Sequence, residues 1–539
     1  MSSHGTDPAS KMPIREGAER TNDQALKVGR FGHMFPSSLA RPKPVDDAAL
    51  KTLADAMIDD RPPGEDNNRN VPAGYTYLGQ FIDHDITLDL TSTTEARRDP
   101  LGEQNFRTPQ LELDSLYATG PGGDASPHLF DRLNPGRMLV GRCGPGGPGD
   151  PGVKAGLPFD LARNAQGIAL IGDARNDENL LVSQTHLAFL KFHNAVLAQQ
   201  GGGDFGATRK LVRWHYQWIV LHDFLAKLID NNDLSDVLRN GRRHYLPEVQ
   251  SDYHEAYIPV EFSGAAYRLG HSMVRETYSH NRAFRPDRDE PQRAGFAQLF
   301  HFTGKSGGIL GEAAPPFGNP ANGEMATKLR LLLPFVLPSL PGDWIIDWHR
   351  FYDLGKPPAP PPQANPQDDG FRLNLSRLID PYLVSALHTL PGGGGSLPLR
   401  NLQRGYKLQL PSGQAVARHM KVPVLDGAQI AASGNDGAAA KAIGLHEDSP
   451  LWFYILKEAQ LMGNAGNRLG PVGSRILAEV FVGLLQTDPE AFLHPKQNPG
   501  WKPTLPSAHP GTFTMADMLR YVEKAEPGFL NPIGAASSF

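Results

Sequence analysis

The sequence predicts a mainly α-helical fold: one large helical domain with long loops and little β-structure. Three observations predict it. Long segments carry apolar residues at helical spacing, above all 178–200, 207–230 and 474–487. Alternating runs of the kind a half-buried strand needs are scarce. No segment recurs at a fixed period, which excludes solenoids and propellers. At 539 residues the chain could form two or three domains. Few of its boundaries read as flexible linkers, however. Residues 1–30 are therefore assigned to a polar N-terminal arm and 31–535 to one domain.

The elements follow in order. Residues 46–60, "DDAALKTLADAMIDD", have helical periodicity between acidic ends. Residues 77–87 read as a helix whose apolar run is broken by polar residues. Residues 97–165 are loop-rich, and the tract "GRCGPGGPGDPG" (141–152) cannot hold a long element. The helix over 178–200 stops before Gly201–Gly203. A second helix is expected over 207–230 and a third over 260–278, "VEFSGAAYRLGHSMVRETY". "PPAPPPQANP" (357–366) is a polyproline-like connector. Ser412 is placed to cap a helix beginning in "PSGQAVARHM" (411–420). Residues 449–462 and 474–487 read as buried helices.

Composition narrows the function classes. A net charge of −5 provides no basic field for nucleic acid or an anionic membrane surface. The single cysteine, Cys143, excludes intrachain disulfides and multi-cysteine metal sites, and suits the cytoplasm. The first twenty residues lack the apolar core of a secretory signal, and no apolar run reaches the length of a membrane span. The expectation is a soluble cytoplasmic protein, with its oligomeric state left open.

One stretch is out of keeping with its surroundings. "YLGQFIDHDITLD" (77–89) sets Asp83, His84 and Asp85 among Leu78, Phe81, Ile82 and Ile86. Burying ionised groups without partners costs several kcal/mol or more, so these residues need partners or a task. In a helix, Gln80 and His84 are one turn apart on one face with Asp83 beside them, while Asp85 points elsewhere. The plain alternative is a satisfied core histidine flanked by surface acids. A metal phosphohydrolase built on adjacent His and Asp is a rival, recruiting His186 and His193. Those two stand seven residues apart and lack the usual carboxylates.

"GQFIDHD" resembles the distal motif of the animal-type haem peroxidases, the peroxidase–cyclooxygenase superfamily. Three further motifs resemble the family's in the same order: "IGDARNDENLLVSQTHLAFLKFHN" (171–194), "AAYRLGHSMV" (265–274) and "LRNLQRG" (399–405). Together they span about residues 80–405, with a weaker likeness at "FGHMFP" (31–36). Any one of them alone would read as an ordinary core histidine, surface arginine or loop cap. Their joint order carries the resemblance.

The resemblance implies a haem b peroxidase. It reduces hydrogen peroxide through a ferryl intermediate and oxidises a small donor: a halide, thiocyanate or a phenol. In its terms His84, Arg175 and Gln80 are catalytic. His84 moves the peroxide proton, Arg175 stabilises the charge on the departing oxygen, and Gln80 orients small polar ligands. His271 is the axial iron ligand and donates its second ring N–H to Asn401. Arg268 and Arg404 pair with the haem propionates. Asp83 and Glu178 form ester bonds to haem methyls, which would remove the charge problem posed by the opening stretch. Asn179 stands where some members form a sulfonium link through methionine, so chloride oxidation is disfavoured against bromide, iodide, thiocyanate or phenols. Asp85 matches a calcium ligand. Thr108, Glu112 and Asp114, with the carbonyl of Gln110, would complete the site, although "RTPQLELDSLY" (107–117) departs from the family pattern. The superfamily's fatty-acid dioxygenases carry a tyrosine three positions before the axial histidine. This chain has Arg268 there and Tyr267 one position earlier. A dioxygenase is the first alternative and a non-catalytic haem-binding protein the second.

Overall fold

A computed structural model describes residues 29–534 except 63, 89–103, 106, 122–125, 147–151, 166, 200–202, 247–248, 251–252, 255, 285–294, 301–302, 304–338, 356–372, 391–394 and 498–499. The proline-rich connector at 357–366 and the N-terminal arm through residue 28 lie outside these residues.

The fold is mainly helical. Helix α1 (Asp47–Asp55) begins where the side chain of Asp46 accepts from Ala49 N–H. Helix α2 (Gly74–Ile86) carries the opening stretch. It starts at a glycine for a steric reason. A Cβ on Gly74 would meet Phe351 O at 2.5 Å and the Tyr352 ring at 2.4 Å. Helix α3 (Leu180–Gln199) is buried along nearly its whole length. Helix α4 (Phe205–Ile219) is capped by Asp204 and runs through a π-helical turn, Val220–Phe224, into the short α5 (Leu225–Leu228). The expected helix over 207–230 is thus one element with a bulge. That turn presents Asp223 to the Tyr75 hydroxyl of α2 (2.8 Å to Oδ2) and to Met515 N–H (2.8 Å).

Further on, α6 (Leu397–Lys407) and α7 (Gly413–Met420) are capped by Ser396 and Ser412, the latter as the sequence predicts. Helices α8 (Leu451–Met462) and α9 (Pro471–Thr487) are buried, and α10 (Met515–Ala525) packs on α3. The β-structure consists of short pairings, such as Asn67–Pro72 with Leu375–Arg377, antiparallel.

The expected helix over 260–278 does not form. A single turn, Val260–Ser263, is followed by a 3-10 turn, Ala266–His271. Two glycines, Gly264 and Gly270, weaken a helix here by about 1 kcal/mol each. Ala265 leaves helical geometry at φ −137°, ψ −73°.

The core that fixes α2 is aromatic. Phe81 stacks on Phe189 of α3 with centroids 4.9 Å apart, and Tyr216 of α4 stands edge-on to both at 86°. Burying rings of this size dominates local packing energy. It leaves the opposite face of α2, with Gln80, Asp83 and His84, turned toward the Arg175 and Arg268 segments. Among the described residues no helix is long and apolar enough to cross a membrane.

Candidate active site

His84 is buried, and its Nδ1 lies 2.8 Å from Asn176 Oδ1. Burial, with the neighbouring Arg175 cation, pushes its pKa down to about 3, so the ring is neutral. Arg175 lies in a 3-10 turn, Ala174–Asp177, capped by Asp173. Its Nη2 donates to the carbonyls of His84 (3.0 Å) and Thr87 (2.6 Å), and both Nε and Nη2 donate to Asp173. The arginine is therefore clamped to the C-terminal end of α2, beside the histidine. Asp173 also takes the buried guanidinium of Arg107. Burial alone would raise its carboxyl, but the two arginines together hold it well below the usual range.

Gln80 is oriented from the other side. Its Oε1 accepts from Asn179 Nδ2 (2.9 Å) and its Nε2 approaches Glu178 Oε2 (3.4 Å). The asparagine that stands where some relatives have methionine thus holds a glutamine. Asp83, on the same face of α2, accepts from the Thr87 hydroxyl at 3.0 Å. Burial raises its pKa, opposed by the fields of Arg175 and Arg268. Asp83 therefore lies within the fields of an arginine from each of the two downstream motifs. Burial likewise raises Glu178 to about 7.

The 3-10 turn ending at His271 packs against α2, and the Tyr267 hydroxyl donates to Gly79 O at 3.1 Å. Burial and Arg268 push His271 down to about 3. Asn401 on α6 reaches it, but with the polarity reversed from expectation. Its Nδ2 lies 2.8 Å from His271 Nδ1, while its Oδ1 accepts from Arg268 Nη1 at 3.2 Å. A guanidinium can only donate, so it claims the amide oxygen, and His271 Nδ1 becomes the acceptor. Arg404 is partly buried on α6 and belongs to the same helix as Asn401.

The acidic loop lies beneath α2. Asp85 Oδ2 accepts from Leu113 N–H and the Tyr216 hydroxyl, both at 3.1 Å, and its Oδ1 is buried with no hydrogen-bond partner among the described residues. Burial pushes both the Asp85 and Asp114 carboxyls up; the Asp114 charge adds to the rise at Asp85, while Arg107 opposes it at Asp114. Asp114 pairs with Arg107 at 2.7 Å, and the Thr108 hydroxyl bonds Glu112. The amide of Gln110 folds back on the Thr108 carbonyl (2.8 Å). Among the described residues no group of three or more histidine, cysteine or carboxylate side chains is arranged to hold a metal ion.

The rival metal reading finds no support. His186 Nδ1 is bonded to Asn176 (3.0 Å). His193 lies between the Tyr117 hydroxyl and Gly136 O, 2.9 Å from each. Sequence reasoning missed Asn176, Asp173 and Arg107. Their signal was there: polar residues flanking Arg175, and an arginine opening the acidic loop.

Residues 148–301 match the family model described as animal haem peroxidase. Over these residues the chain is similar to the animal haem peroxidases. The match includes Arg175, Glu178 and His271. The α2 and α6 motifs lie outside it. Among solved structures, the chain resembles peroxidase A from Dictyostelium discoideum at 17% identity and TM-score 0.54, covering 89% of this chain and 92% of that one. It also resembles the fatty acid alpha-dioxygenases of Oryza sativa (13%, TM-score 0.50, covering 98% and 85%) and Arabidopsis thaliana (14%, TM-score 0.53, covering 98% and 83%). At these identities the likeness is one of fold. Among curated proteins, no sequence matches this chain.

The family implies haem, and the residues fit one. Two carboxyls whose pKa burial raises, a ring nitrogen held by an amide and two flanking arginines are the residue types a propionate-bearing macrocycle needs.

Proposed function

We propose that this protein is a haem-dependent peroxidase, in which His271 would hold the iron once the Asn401 amide turns its oxygen to His271 Nδ1 and leaves Nε2 bare, Arg268 and Arg404 would bind the propionates, and hydrogen peroxide would be taken on the His84 side. Bound haem would supply the redox centre at which an O–O bond is broken. The observation that carries the reading is the pairing of a neutral, buried His84 with an arginine clamped to its own helix end. A neutral imidazole takes the proton of the incoming peroxide and returns it to the departing oxygen. Arg175 offsets the charge building on that oxygen. Gln80, held by Asn179, orients the ligand by hydrogen bonding. The released oxidising equivalents go to a small donor such as bromide, iodide, thiocyanate or a phenol.

The proposal extends to Asp83 and Glu178 as ester links to the haem. Burial favours a neutral carboxyl at each, and an ester is neutral. It also extends to a calcium ion held by Asp85, Thr108, Gln110 O, Glu112 and Asp114. The buried, unpartnered Asp85 Oδ1 supports this ion. The second reading, a fatty-acid dioxygenase, is favoured by the fold likeness to two such enzymes. Against it, Arg268 occupies the position expected of a tyrosine. The neighbouring Tyr267 is committed to Gly79 and stacked on Phe262, with ring centroids 4.8 Å apart.

The test is spectroscopic. Haem-loaded protein should show a strong Soret band that His271→Ala abolishes or shifts. His84→Ala should slow the reaction with hydrogen peroxide by about 10²- to 10⁴-fold. After peroxide treatment, acid acetone should fail to extract the haem. A normal spectrum in His271→Ala, or an unchanged peroxide rate in His84→Ala, refutes the assignment. Haem that leaves freely refutes the esters. Oxygenated fatty acid formed without a peroxide donor would favour the dioxygenase.

A further inference from the structure

A neutral imidazole has one N–H, and only the bare nitrogen can take a proton. Which nitrogen of His84 is bare is therefore decisive for any proton transfer. The answer lies one residue beyond Arg175. Asn176 is fully buried, and its amide is spent in two directions: Oδ1 toward His84 Nδ1 at 2.8 Å, and Nδ2 toward His186 Nδ1 at 3.0 Å. An amide oxygen only accepts, so His84 Nδ1 carries the hydrogen. An amide nitrogen only donates, so His186 Nδ1 is bare and its hydrogen lies on Nε2.

The orientation of the amide is set at the His186 end. His186 is fully buried on α3, and its Nε2 has no hydrogen-bond partner among the described residues. The side-chain hydrogen bond of this ring is made at Nδ1, to the Asn176 amide. Phe81 lies beside the imidazole, with ring centroids 5.9 Å apart and planes at 75°. With the Asn176 amide nitrogen against Nδ1, the hydrogen of the ring lies on Nε2, the state that holds the Asn176 oxygen toward His84. The opposite arrangement, with both rings reversed, would leave His84 with hydrogen on Nε2 and nothing to take a proton.

We infer that Asn176 and His186 are positioning residues that select the tautomer of the His84 imidazole, leaving its Nε2 bare as the proton-accepting atom. The inference rests on the peroxidase reading for its use, though not for its geometry. No charge moves along the chain. It is a static register of donors and acceptors running from the core to the site.

Neutron diffraction from deuterated crystals of the haem-loaded protein reads the hydrogens directly. The expected result is deuterium on His84 Nδ1 and on His186 Nε2, with none on His84 Nε2. Deuterium on His84 Nε2 overturns the inference. Two variants test the direction of control. In Asn176→Asp both oxygens accept, so His84 must keep hydrogen on Nδ1, and neutron diffraction of that variant should find it there. In His186→Phe the amide loses its anchor and can turn over, and the rate should fall about 10- to 100-fold, a part of the contribution of a general base. A His186→Phe protein that folds with a wild-type rate overturns the inference, as does loss of the Nδ1 hydrogen in Asn176→Asp. The two failures are separable. The expected tautomer in a protein with no peroxide reaction would sink the peroxidase reading alone. Peroxide cleavage with hydrogen on Nε2 would sink the positioning role alone.

Discussion

Asp173 concentrates more of the site than any residue singled out from the sequence. Its carboxylate accepts from the backbone N–H and the guanidinium of Arg175 and from the guanidinium of Arg107, and it is 5% exposed. Removing the charge takes a carboxylate partner from each of two arginines. For Asp173→Asn, breaking buried ion pairs should cost about 3–5 kcal/mol of stability. It should also free Arg175 from the end of α2. Denaturant unfolding measures the first effect, and the peroxide rate of the folded fraction the second. A loss below about 1 kcal/mol would mean that Arg107 and Arg175 are held by something else. At this scale the sequence was partly legible. Gln80 and His84 stood out because polar residues interrupt an apolar run, and Arg175 through the resemblance of its motif. Asp173 and Asn176 did not, because Arg107 and His84, which they hold, lie 66 and 92 residues away in the chain.

At the scale of elements, the loop 107–114 and α2 support one another. Leu113 adopts a left-handed conformation (φ 57°) that turns its N–H to Asp85. Such a backbone costs a β-carbon-bearing residue about 1–2 kcal/mol. Asp85 and Asp114, both raised by burial and the former also by the charge of the latter, form an acidic pair that a divalent cation would relieve. Calcium should therefore raise the thermal midpoint of the protein, and a chelator should lower it again. A midpoint indifferent to both would assign the neutralisation of this pair to Arg107 alone. The helices themselves were largely readable, since their apolar spacing is dense and their caps lie at Asp46, Asp204 and Ser412. The segment 260–278 was not. Its pattern reads as helical, but the two glycines and the turn at Ala265 break it into short pieces that carry His271 toward α2.

Across the whole molecule, burial has set an unusual number of histidines to the neutral form. His84, His186 and His280 are pushed down to about 3, and His193, His215 and His222 to about 4, burial being the main cause in each. In the unfolded chain these rings take up protons below about pH 6.5, while the folded ones do not. The unfolded state then binds more protons, so stability falls as the pH drops from about 6.5 toward 4. Each fully differing ring contributes up to about 1.4 kcal/mol per pH unit. Urea unfolding midpoints should decline steeply between pH 7 and pH 5, and a flat profile would contradict the burial of these rings.

By itself the sequence determined the class of the fold, the positions of its long helices and the residue types of the candidate site. Helical periodicity, capping residues and polar interruptions of apolar runs are local properties, and local chemistry writes them into consecutive residues. Only the tertiary structure decided which groups meet: Asn176 between two histidines, Asp173 between two arginines, and Arg268 rather than His271 on the oxygen of Asn401. Hydrogen-bond polarity depends on every partner a group has, and those partners come from helices distant in the chain, brought together by the aromatic packing that seats α2 against α3 and α4.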